Sequence, residues 1–228
     1  MAILTGCAAT RGPAPPAWDS ESPTPGISFK LTEISRGAAG GKTDVVYRLR
    51  AAGVPKGRIM RLWHRRRGAT PVLVSGVYVD DSGRLLGRSG SEAELHVNGL
   101  AKGEPYELML WSDAAKLTAY ARRIPFPLAA DGSGGCRVSM EIVSHQGDAL
   151  LMNGSGFEPD SEINAVMRSG EEVHLEIFPA SPRGEFSRMV FPAVYFKKPS
   201  GSGSYTATGK NRGVTLEHSW GAAALKPE

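Results

Sequence analysis

Short runs of β-branched, aliphatic and aromatic residues, separated by clusters of Gly, Pro, Asn and Asp, fill the chain from Ile27 onward. The runs recur roughly every 8 to 12 residues, which is the spacing of strands in a β-sandwich. The 28 glycines and 16 prolines among 228 residues support this pattern, because both residues favour turns over helix interiors. Helical periodicity is scarce, and a strand-to-strand turn suits its only candidate, residues 113–116. The sequence therefore predicts an all-β fold.

The predicted strands form two groups of similar length. The first group comprises residues 28–34, 44–50, 58–64, 72–79, 93–97, 106–112 and 117–125. The second comprises residues 136–144, 149–153, 162–168, 172–178, 188–191, 203–208 and 214–220. Three landmarks recur with offsets of 103, 101 and 99 residues, namely Gly53 with Gly156, Gly83 with Gly184, and Tyr106 with Tyr205. Such a drifting offset indicates two related domains, although shared turn-rich composition is the alternative explanation.

Residues 154–163, Gly-Ser-Gly-Phe-Glu-Pro-Asp-Ser-Glu-Ile, carry a pattern typical of one family. They resemble the G-x-G-F-x-P-G-x-x-V segment of bacterial immunoglobulin-like repeats. The resemblance implies that Phe157 plugs the core and that Pro159-Asp160 forms a turn, with Asp160 where the family usually has Gly. It implies two tandem immunoglobulin-like β-sandwiches, at residues 27–128 and 135–228, joined by a linker at 129–134.

The segment Leu4-Thr5-Gly6-Cys7 resembles the bacterial lipobox, whose cysteine becomes acylated. That resemblance makes Cys7 the lipid-attachment site and the proline-rich residues 1–26 an extended tether. By similarity to bacterial sorting patterns, Ala8 implies the outer membrane or cell surface. Only three residues precede the motif, whereas a signal peptide needs an apolar region of about 7 to 15 residues. Either the numbering starts inside the signal or the match is chance, in which case Cys7 could pair with Cys136.

The charge balance and the apolar content exclude several classes of protein. The 27 Lys and Arg and 23 Asp and Glu residues leave a net charge of +4, far from the dense positive field of nucleic-acid binders. No apolar run reaches the ~18 residues that span a bilayer, so a lipid anchor would be the chain's membrane link. Two cysteines cannot form a four-cysteine zinc site.

One basic cluster could bind a ligand. Its candidate residues are Arg58, Arg61, Trp63, Arg65, Arg66 and Arg67. Guanidinium groups beside an indole suit an anionic polymer, a lipid headgroup or a protein interface. The alternative is a solvated strand edge whose arginines discourage pairing with other chains.

No catalytic constellation or cofactor motif is readable in the sequence. The histidines stand singly, at positions 64, 96, 145, 174 and 218. Glu172, His174 and Glu176 share one face of a predicted strand and could form a weak metal site. A solvated polar face opposite a buried face of Val173, Leu175 and Ile177 explains the same alternation without a metal. We therefore predict no catalytic residues, no metal and no cofactor.

These observations favour a non-catalytic structural or interaction module of the bacterial cell envelope, displayed on a lipid anchor. Its expected partners are proteins of the envelope or of a larger surface assembly. The alternatives are a polyanion- or glycan-binding accessory module that uses the arginine-tryptophan patch, and an enzyme whose residues assemble from distant positions.

Overall fold

The computed structural model describes residues 14–39, 42–66, 68–192 and 199–227, and it is built from β-strands. The first eight strands are β1 Ser28–Ala39, β2 Lys42–Ala52, β3 Ile59–Arg66, β4 Val72–Val79, β5 Leu85–Leu86, β6 Glu94–Asn98, β7 Tyr106–Ser112 and β8 Leu117–Arg123. The next eight are β9 Leu128–Asp131, β10 Arg137–Ile142, β11 Leu150–Ser155, β12 Glu162–Ser169, β13 Glu172–Pro179, β14 Phe186–Val190, β15 Ser200–Thr208 and β16 Gly213–Gly221. Within these ranges no helix is long and apolar enough to cross a membrane.

The strands pair into two sandwiches with matching order. In the first, the sheet β1-β2-β6 faces the sheet β5-β4-β3-β7-β8. In the second, β9-β10-β11-β14 faces β13-β12-β15-β16. Seven strands of the two sandwiches therefore correspond in chain order. They are β1, β2, β3, β4, β6, β7 and β8 in the first, and β10, β11, β12, β13, β14, β15 and β16 in the second. The predicted tandem of immunoglobulin-like β-sandwiches is confirmed, with the short strands β5 and β9 as additions that the sequence pattern did not reveal.

Each sandwich encloses its own apolar core. The first core includes Leu49, Leu62 and Leu108, and the second includes Met152 and Phe157, all at most 2% exposed. Phe157 lies 5.5 Å from Phe186, ring centre to ring centre. Its burial confirms the core position that the family resemblance implied.

The first repeat landmark, Gly53 with Gly156, is a glycine for the same physical reason in both sandwiches. Gly53 and Gly156 follow β2 and β11 with φ of +78° and +74°. A Cβ at Gly53 would lie 2.1 Å from the carbonyl oxygen of Gly26, and one at Gly156 would lie 2.4 Å from that of Gly135. Only glycine allows this backbone contact and this φ. The matching sequence positions therefore reflect one conserved turn geometry within the chain.

The third landmark, which matches Tyr106 with Tyr205, is wrong because the two tyrosines occupy different positions along their strands. Arg66 pairs with Tyr106 in the first sandwich, whereas the position 103 residues later, Ser169, pairs with Gly203. Tyr205 lies two residues further along its strand. The two tyrosines are therefore not equivalent, because an alignment by residue type does not detect a shift along a strand.

Part of the predicted linker belongs to the second sandwich. Leu128–Asp131 forms β9 and pairs with β10 in antiparallel register. A Cβ at Gly132 would lie 2.2 Å from the carbonyl oxygen of Gly213. The glycines of this segment thus permit close packing of the backbone, where the sequence suggested a loose connection.

The predicted tether, in the part that the structure describes, packs on the first sandwich. Trp18 is 8% exposed and joins a cluster with Trp63 and Met109. The Thr24 N–H donates to the Thr118 carbonyl oxygen at 2.8 Å, and the Thr118 N–H donates to Thr24 Oγ1 at 2.9 Å. Residues 14–26 are therefore a docked segment, because their aromatic side chain and backbone groups find partners on the sheet. Residues 1–13, including the lipobox-like motif, lie outside the described part of the chain.

A loop of the first sandwich packs against the second. Ala101 belongs to the second apolar core, and the Ile142 N–H donates to the Gly103 carbonyl oxygen at 2.9 Å. Arg122 also forms an ion pair with Glu141. These contacts join the two sandwiches through backbone and side chains together.

Candidate functional site

The predicted arginine-tryptophan patch is not one free cationic surface. Trp63 is 3% exposed and packs beneath Trp18, so its indole face is covered. The Arg61 guanidinium lies 5.7 Å from the centre of the Trp111 ring. Arg58 is exposed, and Arg67 lies outside the described residues. A ligand could not stack on the tryptophan without displacing the docked segment.

Two further arginines of this patch are held by carboxylates. Arg65 lies 2.8 Å from Asp19 and 2.9 Å from Glu107, nitrogen to oxygen. Arg66 donates to both carboxylate oxygens of Glu104, at 2.7 and 2.8 Å. These ion pairs neutralise both guanidinium groups, so Arg65 and Arg66 act as structural partners of the carboxylates.

The docking of residues 14–26 predicts a local effect of Trp18→Ala. We expect the segment to detach while both sandwiches stay folded, because the substitution removes the side chain that covers Trp63 and Met109. Cleavage after Glu21 by a glutamate-specific protease should accelerate by about tenfold or more. Ser22→Ala, at an exposed position, is the matched control and should leave the cleavage rate unchanged. An unchanged rate in Trp18→Ala would show that the tryptophan does not hold the segment.

Strand β13 presents the opposite face to the one predicted. Glu176 and His174 pair directly with Ala165 and Met167, which are buried in the second core. Residues directly opposite on antiparallel strands share a face, so Glu176 and His174 point toward the interior side of the sheet. The predicted alternation of the strand is correct. The prediction of which face is buried is wrong, because Val173, Leu175 and Ile177 lie on the exposed face. The turn that joins β12 to β13 determines the register, and the strand's own composition does not.

The apolar residues of β13 consequently face outward. Val173, Leu175 and Ile177 are 49%, 76% and 63% exposed. Met189 and Phe191 are 48% and 51% exposed, and they line one groove together with Leu175. We call these five residues the apolar edge. Contiguous exposed apolar surface of this kind marks interaction sites in soluble proteins. The apolar edge is therefore the leading candidate interaction surface of the described residues.

A groove opens beside the apolar edge, between β13 and β14. Its volume is about 280 Å³, and Met167, Leu175 and Phe191 contribute apolar walls. Tyr205, 1% exposed, lines the groove, and its hydroxyl has no hydrogen-bond partner among the described residues. Burial raises the pKa of Tyr205. The hydroxyl is therefore neutral at physiological pH and able to donate a hydrogen bond.

The Glu172, His174 and Glu176 set does not form a compact ligand cluster. His174 Nε2 lies 3.8 Å from a Glu172 carboxylate oxygen, and Glu176 lies 3.6 Å from Arg188. In the part of the chain that the structure describes, no three His, Cys, Asp or Glu side chains are placed to hold a metal ion. Cys136 is buried, and its thiol donates to the Ser133 carbonyl oxygen at 3.2 Å. The alternative pairing with Cys7 falls outside the described residues.

A second cavity, of about 450 Å³, lies where the sandwiches meet and is lined by Lys102, His218 and Lys226 among others. His218 is 5% exposed. Its burial lowers the pKa of the imidazole, so the folded state holds His218 in its neutral form. Protonation of this buried imidazole would therefore oppose folding.

We expect the free energy of unfolding to fall as the pH drops below about 6.5. The unfolded chain binds a proton at His218 that the folded chain resists, so the stability present above this pH is lost by at most about 1.4 kcal/mol per pH unit. Urea unfolding at several pH values measures the slope. His218→Phe should reduce the slope, and Thr215→Ala, at an exposed position on the same strand, should preserve it. Equal slopes in all three proteins would rule out this role of His218.

Comparisons with known proteins find no match in sequence, and the two solved structures described below overlap the chain with low TM-scores. No protein-family model and no curated protein sequence matches the chain. A tetra-tandem repeat from the extending region of a large adhesion protein is 11% identical with a TM-score of 0.30, over 87% of this chain and 49% of that one. The chain thus spans about half the length of that structure. The chicken interferon gamma receptor alpha chain is 10% identical with a TM-score of 0.25, over 84% of this chain and 97% of that one.

Proposed function

We propose that the chain is a non-catalytic structural and interaction module of the bacterial cell envelope, and that the apolar edge is its binding surface. The observation that carries this proposal is the exposure of five large apolar side chains on and next to β13 and β14, the edge strands of the two sheets of the second sandwich. Their exposure to water is unfavourable by roughly 25 cal/mol per Å² of apolar surface. A partner that covers them gains that free energy.

The sheet geometry supports the same surface. Strand β13 ends one sheet and β14 ends the other, so both strands have a side without a partner strand among the described residues. Extended segments add to such sheet edges through backbone hydrogen bonds, and pockets beside the edge select their side chains. The groove at Tyr205 lies beside this edge, and the Tyr205 hydroxyl is a hydrogen-bond donor within it.

We further propose that Cys7 carries the lipid and that the protein resides at the bacterial outer membrane or cell surface. Residues 14–26 pack on the first sandwich. Only residues 8–13 then separate the lipid from the docked segment, which brings the first sandwich close to the membrane. The second sandwich and its apolar edge would stand further from the lipid.

Mass spectrometry of the N-terminal peptide, from protein isolated with membranes of its native source, tests the anchor. An acylated Cys7 would support the envelope proposal. An unmodified chain beginning at Met1 would overturn the lipid anchor, and it would leave the apolar edge as an independent question.

The interaction surface has its own test. A photo-crosslinking amino acid replaces Leu175 in the native host, and the same amino acid at Thr215, an exposed position on β16, serves as the control. We expect protein adducts at position 175 and none at position 215. Absence of adducts at position 175 would overturn the proposed binding surface.

The polyanion- or glycan-binding proposal retains less support. Of its residues, Trp63 is covered and Arg65 and Arg66 are paired with carboxylates. Charge reversal at Arg58 and Arg61 together should weaken salt-sensitive binding of a polyanion if this function exists. Unchanged binding would remove it.

A further inference from the structure

Strand β13 offers a regular row of backbone groups at its free edge. A two-residue turn at residues 170–171 joins it to β12, with Gly170 at φ +61° and Ser169 opposite Glu172. In such hairpins the residues flanking the turn exchange hydrogen bonds. Every second residue then bonds to β12, and the backbone groups of Val173, Leu175 and Ile177 point away from it.

The sequence of β13 is complementary to itself around Leu175. When two copies pair in antiparallel orientation with Leu175 opposite Leu175, Val173 faces Ile177 of the second copy. The outer face of the joint is then apolar throughout. On the inner face, His174 lies opposite Glu176 of the second copy. The twofold symmetry places Glu176 opposite His174 of the second copy as well.

Neighbouring registers lack this complementarity. A shift that centres the pair on His174 places Glu172 opposite Glu176 of the second copy twice. A shift that centres it on Glu176 places that carboxylate opposite itself. Like charges directly opposite on paired strands are destabilising. Like charges therefore disfavour these two registers. A register centred on Val173 places Glu172 opposite His174 but Glu171 opposite Leu175, so the register centred on Leu175 is the one that combines apolar pairs on the outer face with opposite partners on the inner face. A one-residue slip would exchange the two faces.

We propose that a second copy of this chain pairs in antiparallel orientation with the free edge of β13, with the twofold axis at Leu175, so that Val173, Leu175 and Ile177 of the two copies contact each other across the joint. The two four-stranded sheets then form one continuous eight-stranded sheet across the dimer. The inference rests on the proposed function of the apolar edge as a binding surface, and it names the partner. The contact is isologous, because the same strand contributes on both sides.

Sedimentation equilibrium on the full chain tests the pairing. We expect the natural chain to approach twice its mass of 24.3 kDa at a concentration of about 100 µM. Leu175→Lys should be monomeric, since it places two ammonium groups opposite each other at the axis. Ile59→Lys, at a residue 74% exposed on β3, is the matched control and should dimerise like the natural chain.

A charge exchange tests the register. His174→Glu should weaken dimerisation about tenfold, because carboxylates then face each other at two symmetric positions. Adding Glu176→His to this variant restores opposite partners and should restore dimerisation. Circular dichroism and thermal unfolding establish that each variant is folded. The proposed pairing would be overturned if the natural chain stays monomeric. It would also be overturned if the double variant dimerises as weakly as His174→Glu.

The outcomes also separate this inference from the proposed function. A monomeric natural chain whose Leu175 crosslinks to a different protein would overturn self-pairing while the binding surface stands. A monomer without any crosslink at Leu175 would overturn both.

Discussion

Phe157→Ala is expected to lower the free energy of unfolding of the second sandwich by about 3 to 5 kcal/mol. The ring is 2% exposed and lies in the core where the chain passes from β11 to β12. Its neighbour Phe186 also packs against Phe178 at 5.2 Å between ring centres, so the cavity would open inside a cluster of aromatic rings. Neighbouring side chains that pack this closely relax only partly into such a cavity.

Chemical denaturation of the full chain measures this loss. Phe191→Ala is the matched control, because the same atoms are removed from a ring that is 51% exposed. We expect the control to change the free energy of unfolding by no more than about 1 kcal/mol. A loss in Phe157→Ala no larger than in Phe191→Ala would contradict the role of Phe157 as a core residue.

Arg66→Met is expected to destabilise the contact between the sandwiches by about 2 to 4 kcal/mol. The Glu104 side chain is 7% exposed, and Arg66 is its bidentate partner. Glu104 also accepts the Ala101 N–H at 3.0 Å, which holds the loop that reaches the second core. Removing Arg66 leaves a buried carboxylate without its cation, and that is more costly than losing a surface pair.

Lys56→Met provides the control for this effect. Lys56 and Asp81 are 74% and 72% exposed, and an exposed ion pair contributes at most about 1 kcal/mol. The double variant Arg66→Met with Glu104→Leu should recover part of the stability, because no buried charge then remains. Denaturation curves of the three variants compare these expectations directly. Equal losses in Arg66→Met and Lys56→Met would show that Glu104 is effectively solvated.

The strands of this protein were largely predictable because their signals are local. Turn residues at Gly53 and Gly156, and alternating residues between the turns, locate the strands within a few positions. The family pattern placed Phe157 in the core for the same reason, since a turn beside a buried aromatic ring depends on adjacent residues. The two-residue strand β5 and the four-residue strand β9 are too short to show alternation.

The candidate site was less predictable because it depends on which residues meet across the chain. Trp63 looked available for a ligand until Trp18, 45 positions earlier, proved to cover it. Leu175 looked buried, because apolar residues on an alternating strand usually face the core. No local signal distinguishes these outcomes.

By itself, the sequence determined the all-β class, the repetition of the sandwich and the position of nearly every strand, because turn geometry and strand alternation are set by neighbouring residues. The tertiary structure decided which face of β13 meets the core, which arginines find carboxylates and where residues 14–26 pack. The physical reason is that both faces of β13 alternate equally well. Only its pairing with β12, through Ala165 and Met167 on the buried side, selects the face that points to water.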